Sequence, residues 1–199
     1  MSAKVVVISG PSGVGKTTVC EALLERPEFR RVVTATTRPP RPGESDGVDY
    51  HFLDEPTFRE GIASGRFLEH AEVFGRLYGT PRESVEAILG GGRSVLLNID
   101  VQGAETLRHQ VGLDILTVFI QPPSFAVLEQ RLRARGTDSD EVIERRLEEA
   151  RRELAQADLF DLVVTNAVVE DCVAEICRSL DAAPSDTTQT AGGERRNGG

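Results

Sequence analysis

The sequence has few cysteines, no long apolar run and no excess of positive charge. Its three cysteines, Cys20, Cys172 and Cys177, lack the spacing of a metal site, and we interpret them as packing residues of helices. No apolar run approaches the roughly 18 residues of a membrane span, and the first is too short for a signal peptide, so we expect a cytoplasmic protein without a membrane partner. The formal net charge of −9 argues against a nucleic-acid partner.

What the sequence does contain is a phosphate-binding loop between an apolar run at residues 5–8 and a helix-like stretch at 18–26. Its glycines let backbone N–H groups turn toward phosphate oxygens, Lys16 reaches the β- and γ-phosphates, and Thr17 offers a hydroxyl to Mg²⁺. This context favours nucleotide binding over a chance glycine-rich turn. The residues of this phosphate loop are Gly10, Pro11, Ser12, Gly13, Val14, Gly15, Lys16 and Thr17.

Segments of strand and helix character alternate along the chain, which predicts an α/β fold with a parallel sheet and helices packed on it. The expected core strands are residues 4–9, 31–35, 94–100, 114–120 and 162–166. The expected helices are residues 16–26, 82–89, 102–110, 124–135, 139–157 and 171–180. From residue 181 onward, small and polar residues predict a disordered tail.

Residues 34–82 interrupt this alternation and predict a small lobe that faces the phosphate loop. Arg38 and Arg41 lie in a loop stiffened by three prolines, where two guanidinium groups suit a phosphate. Tyr50 and Tyr78 are the only tyrosines of the chain, and their hydroxyls can donate to the same phosphate. A solvated basic turn with two half-buried aromatics is the alternative, but the phosphate loop favours a second phosphate pocket.

Asp100 follows an apolar run, which is where a carboxylate that supports a nucleotide's Mg²⁺ is usually placed. The same residue can cap the following helix, and the two roles are compatible. Residues 100–103 also match the D-x-x-G pattern of GTP-hydrolysing switches. No N-K-x-D motif follows, which disfavours a GTPase.

Arginines cluster on two helix-like stretches near the end of the chain. Acidic residues four positions away predict surface ion pairs for most of them. Alternatively, two helices that meet at Gly136 form a lid that brings cations onto the transferring phosphates and excludes water. The sequence leaves both interpretations open. The arginines concerned are Arg131, Arg133, Arg135, Arg145, Arg146, Arg151 and Arg152.

Several motifs, taken in order, resemble those of guanylate kinases. The phosphate loop and Thr18 are followed by T-T-R-P-P-R-P-G-E at residues 36–44 and G-V-D-Y at 47–50. Further along come F-L-E at 67–69, Y-G-T at 78–80, I-D-V-Q-G at 99–103 and R-G-T at 135–137. Their order and spacing hold over about residues 3–180.

The resemblance implies a P-loop nucleoside monophosphate kinase fold, with three α/β/α layers and a mostly parallel core sheet. The core would comprise residues 1–33, 83–123 and 151–180, with a GMP-binding lobe at 34–82 and a helical lid at 124–150. The implied reaction is ATP + GMP giving ADP + GDP, with Mg²⁺ on the donor phosphates and dGMP as a second acceptor.

The resemblance also implies roles for individual residues. For GMP, the implied residues are Arg38, Arg41, Tyr50 and Tyr78 at the phosphate and Thr34, Glu69, Thr80 and Asp100 at the guanine. For ATP, they are the phosphate loop, Thr18 and Asn166, the last at the adenine. The implied catalytic residues are Lys16, Arg38, Arg131, Arg135 and Arg146. The implied metal site is Thr17 and Asp100, directly or through water.

Guanine chemistry agrees with an acidic residue at the base. Guanine presents N1–H and an N2 amine side by side, so the carboxylate of Glu69 can accept from both, whereas adenine presents an acceptor at N1. Glu69 and Thr80 therefore disfavour a kinase for AMP, UMP or TMP. The intact phosphate loop disfavours a non-catalytic guanylate-kinase-like interaction module. The sequence carries no signal for oligomeric state.

Overall fold

The computed structural model describes residues 3–73, 75–108, 110, 112–134, 136 and 139–182. The predicted tail beyond residue 182 and the predicted lid residue Arg135 lie outside the described residues. The strands are β1 (Val5–Ser9), β2 (Phe29–Arg31), β3 (Ala35–Thr36), β4 (His51–Phe52), β5 (Phe67–Val73), β6 (Arg76–Pro81), β7 (Ser94–Asn98), β8 (Ile115–Gln121) and β9 (Leu162–Thr165). The helices are α1 (Lys16–Leu24), α2 (Glu55–Ala63), α3 (Arg82–Gly90), α4 (Val101–Arg108), α5 (Phe125–Ala134), α6 (Asp140–Leu154) and α7 (Val169–Asp181).

The core sheet has five parallel strands in the order β2-β7-β1-β8-β9. β1 is buried along its whole length, as expected for a parallel strand covered by helices on both faces. On one face, Val6 and Ile8 belong to an apolar cluster with residues of α1, α5, α6 and α7. On the other face, Val5 and Val7 belong to a cluster with residues of α3 and α4. The predicted α/β fold with a parallel central sheet is confirmed.

The second expected core strand was placed wrongly. The sequence predicts one strand over residues 31–35, whereas the structure has β2 at Phe29–Arg31 and β3 at Ala35–Thr36, in two different sheets. Phe29 is buried in the core and pairs with Ser94 of β7, while Ala35 pairs with Gly79 of β6. The apolar run between them is the crossing from one sheet to the other, which residue periodicity does not distinguish from a continuous strand.

The segment between β2 and α3 carries its own sheet of four strands in the order β4-β3-β6-β5. Its apolar core is built on Phe58 of α2, whose ring stacks on that of Phe67 with centroids 4.5 Å apart. α2 begins after Asp54, whose Oδ1 accepts from the N–H of Thr57 at 2.8 Å. β5 also packs against α4 of the core. A separate small sheet is thus present where the alternation of the sequence breaks.

All three cysteines are buried in helices of the core. Cys20 lies in α1, and Cys172 and Cys177 lie in α7. Burial raises the pKa of the Cys20 thiol to about 12, so this group stays protonated at neutral pH. The interpretation of these residues as packing thiols is confirmed. Across the described ranges, each helix is too short or too polar to span a bilayer.

Candidate active site

The phosphate loop connects β1 to α1 through glycines with positive φ. Gly10 has φ 130° and Gly15 has φ 100°, which residues with a side chain rarely adopt. Space is also lacking at Gly10, where a Cβ would lie 2.2 Å from the carbonyl oxygen of Ile120 in β8. Glycine is therefore required at the start of the loop for both its backbone conformation and its close approach to the core sheet.

We expect Gly10→Ala to lower the free energy of unfolding by about 3 kcal/mol or more, because backbone strain adds to a clash with β8. Gly92 is a matched control, since its φ is 72° and nothing lies within 4 Å of an added Cβ. Gly92→Ala should cost only about 1 kcal/mol. Urea unfolding of both variants measures the difference, and equal losses would contradict the role of close approach at Gly10.

Lys16 begins α1 and folds across its own loop. Its ammonium group donates to the carbonyl oxygens of Gly10 and Pro11, the latter at 3.0 Å. Arg146 of α6 reaches the same loop, with Nη1 donating to the Ser12 hydroxyl at 3.3 Å. Two cations from different elements are thus directed at the loop, which is the arrangement that a polyphosphate chain requires.

A cavity of about 600 Å³ lies between the phosphate loop and the inserted sheet. It has the size of a small-molecule binding site and lies where the carboxyl ends of the parallel strands meet. Its walls on the core side are Gly10, Ser12, Lys16, Asn98, Ile99, Asp100, Val101, Gln102, Arg146, Glu149, Arg152, Glu153 and Gln156. Its walls on the inserted segment are Thr34, Tyr50, Glu69, Ala71, Glu72, Val73, Tyr78 and Gly79.

Glu69 of β5 is the most deeply buried carboxylate that lines the cavity, with 4% of its surface exposed. The Thr80 hydroxyl on the neighbouring strand β6 donates to Oε1 at 2.5 Å. Burial raises the pKa of Glu69 to about 7; the Thr80 hydrogen bond opposes this shift and the nearby Asp100 charge adds to it. Glu69 therefore changes its charge near neutral pH.

Asp100 lies next to Glu69 at the start of α4. Its Oδ1 accepts from the N–H of Gly103 at 2.9 Å, so the helix-capping role predicted for it is present. A Cβ on Gly103 would lie 2.8 Å from Glu69 Oε2 and 3.1 Å from Asp100 Oδ1. Both carboxylates thus converge on the space that this glycine leaves open.

The proline-stiffened loop places Arg38 against the aromatic residues. Its guanidinium carbon lies 5.4 Å from the centroid of the Tyr50 ring, and the Tyr50 and Tyr78 rings meet edge to face at 6.1 Å. Glu44 holds this group, because its Oε1 accepts from Arg38 Nη2 at 2.8 Å and its Oε2 accepts from the backbone N–H of Arg41 at 2.7 Å. Sequence reasoning missed Glu44, although it lies inside the quoted motif at residues 36–44.

Several of the other predicted site residues lie on or beside the phosphate loop. Thr17 and Thr18 are exposed on the first turn of α1. Arg131 of α5 donates through Nη1 to the carbonyl oxygen of Val14 at 3.0 Å, and buried Asn166 donates to the same oxygen at 2.8 Å. Among the described residues, those predicted at a site but outside the cavity walls are Pro11, Gly13, Val14, Gly15, Thr17, Thr18, Arg38, Arg41, Thr80, Arg131 and Asn166.

Sequence reasoning also missed acidic residues of α6. Glu149 and Glu153 line the cavity together with Arg146, at intervals of three and seven residues along one helix face. Burial raises the pKa of Glu153 to about 7, while the positive charge of Lys16 acts against this shift. The sequence signal that could have identified both glutamates is their spacing from Arg146, since residues three and seven positions apart share a helix face.

The oxygen donors of this region fit a magnesium ion that arrives with a nucleotide. Within the described parts of the chain, no three His, Cys, Asp or Glu side chains are grouped to hold a metal ion. Thr17 and Asp100 supply a hydroxyl and a carboxylate, the hard oxygen ligands that Mg²⁺ prefers. Because Mg²⁺ keeps several waters and binds substrate phosphates, one or two protein groups suffice.

A family model described as guanylate kinase matches residues 2–183 of this chain. The chain belongs to the guanylate kinase family. A guanylate kinase from Sphingopyxis alaskensis is 51% identical over 177 residues, which cover 88% of this chain and 80% of that protein. One from Thermus thermophilus is 49% identical over 182 residues, covering 92% of this chain and 82% of that protein.

A solved structure of the same family shares the fold. The crystal structure of guanylate kinase from Anaplasma phagocytophilum matches with a TM-score of 0.73 at 34% identity, over 90% of this chain and 85% of that one. The resemblance stated from the sequence motifs is confirmed.

Proposed function

We propose that this chain is an ATP:GMP phosphotransferase, which transfers the γ-phosphoryl group of ATP to GMP and gives ADP and GDP. The observation that carries this proposal is a single cavity that is lined on one side by the core and on the other side by the inserted part of the chain. Lys16 and Ser12 of the phosphate loop face it from the core, and Glu69 with Tyr78 faces it from the inserted sheet. A donor and an acceptor phosphate bound to these walls would meet inside a single cavity.

The wall around Glu69 supports a guanine base. In its ionised form the carboxylate can accept from both N1–H and the N2 amine of guanine. Thr34, Thr80 and Asp100 complete the proposed base site, and the Thr80 hydrogen bond fixes the carboxylate in place. Adenine, with an acceptor at N1, would leave the buried Glu69 facing a lone pair, at a cost that separates the two bases.

The aromatic wall supports the acceptor phosphate. We assign Arg38, Arg41, Tyr50 and Tyr78 to it, with Arg38 already held beside Tyr50 by Glu44. A guanidinium fork and two phenol hydroxyls supply the donors that a phosphate monoester needs. dGMP would bind the same groups, since none of them is assigned to the ribose 2′-hydroxyl.

The donor site would be the phosphate loop, Thr18 and Asn166, with residues 124–150 as the lid over it and residues 34–82 as the acceptor lobe. In the transfer, the bond between the γ-phosphorus and the β,γ-bridging oxygen breaks as a GMP phosphate oxygen bonds to the γ-phosphorus. Lys16, Arg38, Arg131, Arg135 and Arg146 would neutralise the charge on the transferring group. The lid would exclude water, which would otherwise accept the phosphoryl group.

A Mg²⁺ ion that arrives with the donor nucleotide would supply positive charge to offset that of its phosphates. Thr17 and Asp100 would hold it, directly or through water. Thr17 lies on the first turn of α1 and Asp100 lies directly before α4, so the two oxygen ligands would come from different elements of the core.

The direct test measures ADP release with ATP, Mg²⁺ and one acceptor at a time. We expect GMP to be the best acceptor and dGMP the second, with kcat/KM for AMP, UMP and TMP lower by at least about a hundredfold. A reaction without acceptor serves as the control. ADP release without any acceptor would instead indicate a nucleotide hydrolase, and no release with any acceptor would indicate a non-catalytic module.

A further inference from the structure

The carbonyl oxygen of Val14, in the middle of the phosphate loop, accepts from two side chains that come from outside the loop. Asn166 Nδ2 donates to it at 2.8 Å and Arg131 Nη1 at 3.0 Å. Arg131 Nη2 also donates to the backbone carbonyl oxygen of Asn166 at 3.1 Å. The three residues thus form one hydrogen-bonded group.

Both the backbone and the side chain of Asn166 form hydrogen bonds. The residue directly follows β9, and its N–H donates to the carbonyl oxygen of Gln121 at 2.8 Å, which continues the sheet. Only 4% of its surface is exposed. Nδ2 is the end that faces Val14, because a carbonyl oxygen can only accept a hydrogen bond. Oδ1 lies 3.7 Å from Cys172 Sγ, whose single proton has a nearer acceptor in the carbonyl oxygen of Thr165 at 3.4 Å. The core therefore fixes the orientation of this amide.

This contact is made at the peptide unit between Val14 and Gly15, where the glycine permits backbone conformations that other residues rarely adopt. The carbonyl of Val14 and the N–H of Gly15 belong to one planar trans peptide, so they point in opposite directions. Gly15 has φ 100°, and a Cβ on it would lie 2.4 Å from Asn166 Nδ2. Holding the Val14 oxygen toward Asn166 thus keeps the Gly15 N–H directed to the other side of the loop.

We propose that Asn166 is a positioning residue of the donor site, which acts by holding the Val14–Gly15 peptide in the orientation that binds phosphate. It would act on the phosphates through the loop rather than by contact with adenine. A phosphate loop binds anions because its N–H groups are oriented before the anion arrives. The proposal rests on the proposed function, because it assumes that the loop binds the donor's phosphates.

The test compares a donor with adenine and a probe without any base. Binding of ATP and of inorganic tripolyphosphate is measured by calorimetry for the wild-type protein and for Asn166→Ala. We expect both ligands to bind about tenfold more weakly to the variant, as for the loss of one buried hydrogen bond, and GMP to bind unchanged. If Asn166 contacts adenine instead, ATP alone weakens, and this result would overturn the proposal.

Two further variants make the result specific. Asn166→Leu fills a similar space without a donor, and we expect it to show the same selective loss. Arg133→Ala is the control on α5, because Arg133 pairs with Glu129, Asp140 and Glu144 at the surface, and it should leave all three ligands unaffected. A loss of GMP affinity equal to that of tripolyphosphate in both Asn166 variants would show a general folding role and overturn the proposal.

The same measurements separate this proposal from the proposed function. A wild-type protein that binds tripolyphosphate but does not phosphorylate GMP would contradict the phosphotransferase assignment, while the effect of Asn166 on the loop would still be measured. Conversely, an active wild-type enzyme whose tripolyphosphate affinity is unchanged by Asn166→Ala and Asn166→Leu would contradict only the positioning role.

Discussion

Lys16→Ala is expected to lower kcat for phosphoryl transfer by at least about a thousandfold while GMP affinity stays the same. The ammonium group of Lys16 lies across the phosphate loop, bonded to the carbonyl oxygens of Gly10 and Pro11, and its side chain lines the shared cavity. Alanine removes the one cation that the loop itself supplies. The charge that develops between donor and acceptor phosphates would then be left without its nearest compensation.

The chain offers a matched control for this change. Lys4 is the only other lysine of the sequence, and it pairs with Asp114 at 3.4 Å before the start of β1. Lys4→Ala should keep nearly full activity, because it removes the same side chain outside the cavity. Initial rates of ADP release with GMP as acceptor measure both variants. An unaltered rate for Lys16→Ala would remove the assignment of the phosphate loop as the donor site.

The core and the phosphate loop were predictable because their signals are local. β1 is a continuous apolar run, and the loop that follows it is set by residue types at fixed positions. The sequence predicts a helix at residues 139–157, and α6 lies within it because apolar residues recur there at helical spacing, among them the buried Leu147 and Ala150. These features depend on the chain's own periodicity, so they need no knowledge of which elements become neighbours in space.

Apart from Glu44, which accepts hydrogen bonds within its own loop, the missed features depend on contacts between distant parts of the chain. The break between β2 and β3 follows from the pairing of Phe29 and Ala35 in two different sheets, which the sequence does not indicate. Glu153 lies more than a hundred residues from Lys16 in sequence, yet both line one cavity. The contact of Asn166 with Val14 likewise joins the end of β9 to the phosphate loop. The spacing along α6 indicates that Glu153 shares a helix face with Arg146, but it does not indicate that this face meets Lys16.

Glu69→Gln is expected to weaken GMP binding by about a hundredfold and to leave ATP binding unchanged, because it removes a charged acceptor from buried hydrogen bonds. The pKa of Glu69 lies at about 7, so the carboxyl is mostly protonated below that pH and cannot accept from both guanine donors. Wild-type affinity for GMP should therefore fall by up to tenfold for each pH unit below 7 and level off above 8.

The pH profile of the variant isolates this carboxyl. Glu69→Gln faces the same GMP phosphate and the same Glu153, so any pH dependence that it keeps belongs to those groups. The difference between the two profiles belongs to Glu69. Calorimetric titration with GMP between pH 5.5 and pH 8.5, chosen as about one and a half units either side of that pKa, measures both. A defect that appears only with ATP would contradict the base-reading role.

The same substitution should stabilise the empty protein at alkaline pH, opposite to its effect on GMP binding. Burial raises the folded-state pKa of Glu69 from 4.5 to about 7, so the folded state holds this proton more tightly than the unfolded state. Stability contributed by the protonated form is present below pH 4.5 and is lost as pH rises through 7, by up to roughly 3 kcal/mol.

Urea unfolding should therefore find Glu69→Gln more stable than wild type at pH 8 and close to it at pH 4. If the carboxylate stabilised the fold, Glu69→Gln would be less stable than the wild type at pH 8. A carboxylate that serves to bind guanine is instead expected to reduce the stability of the protein when the site is empty.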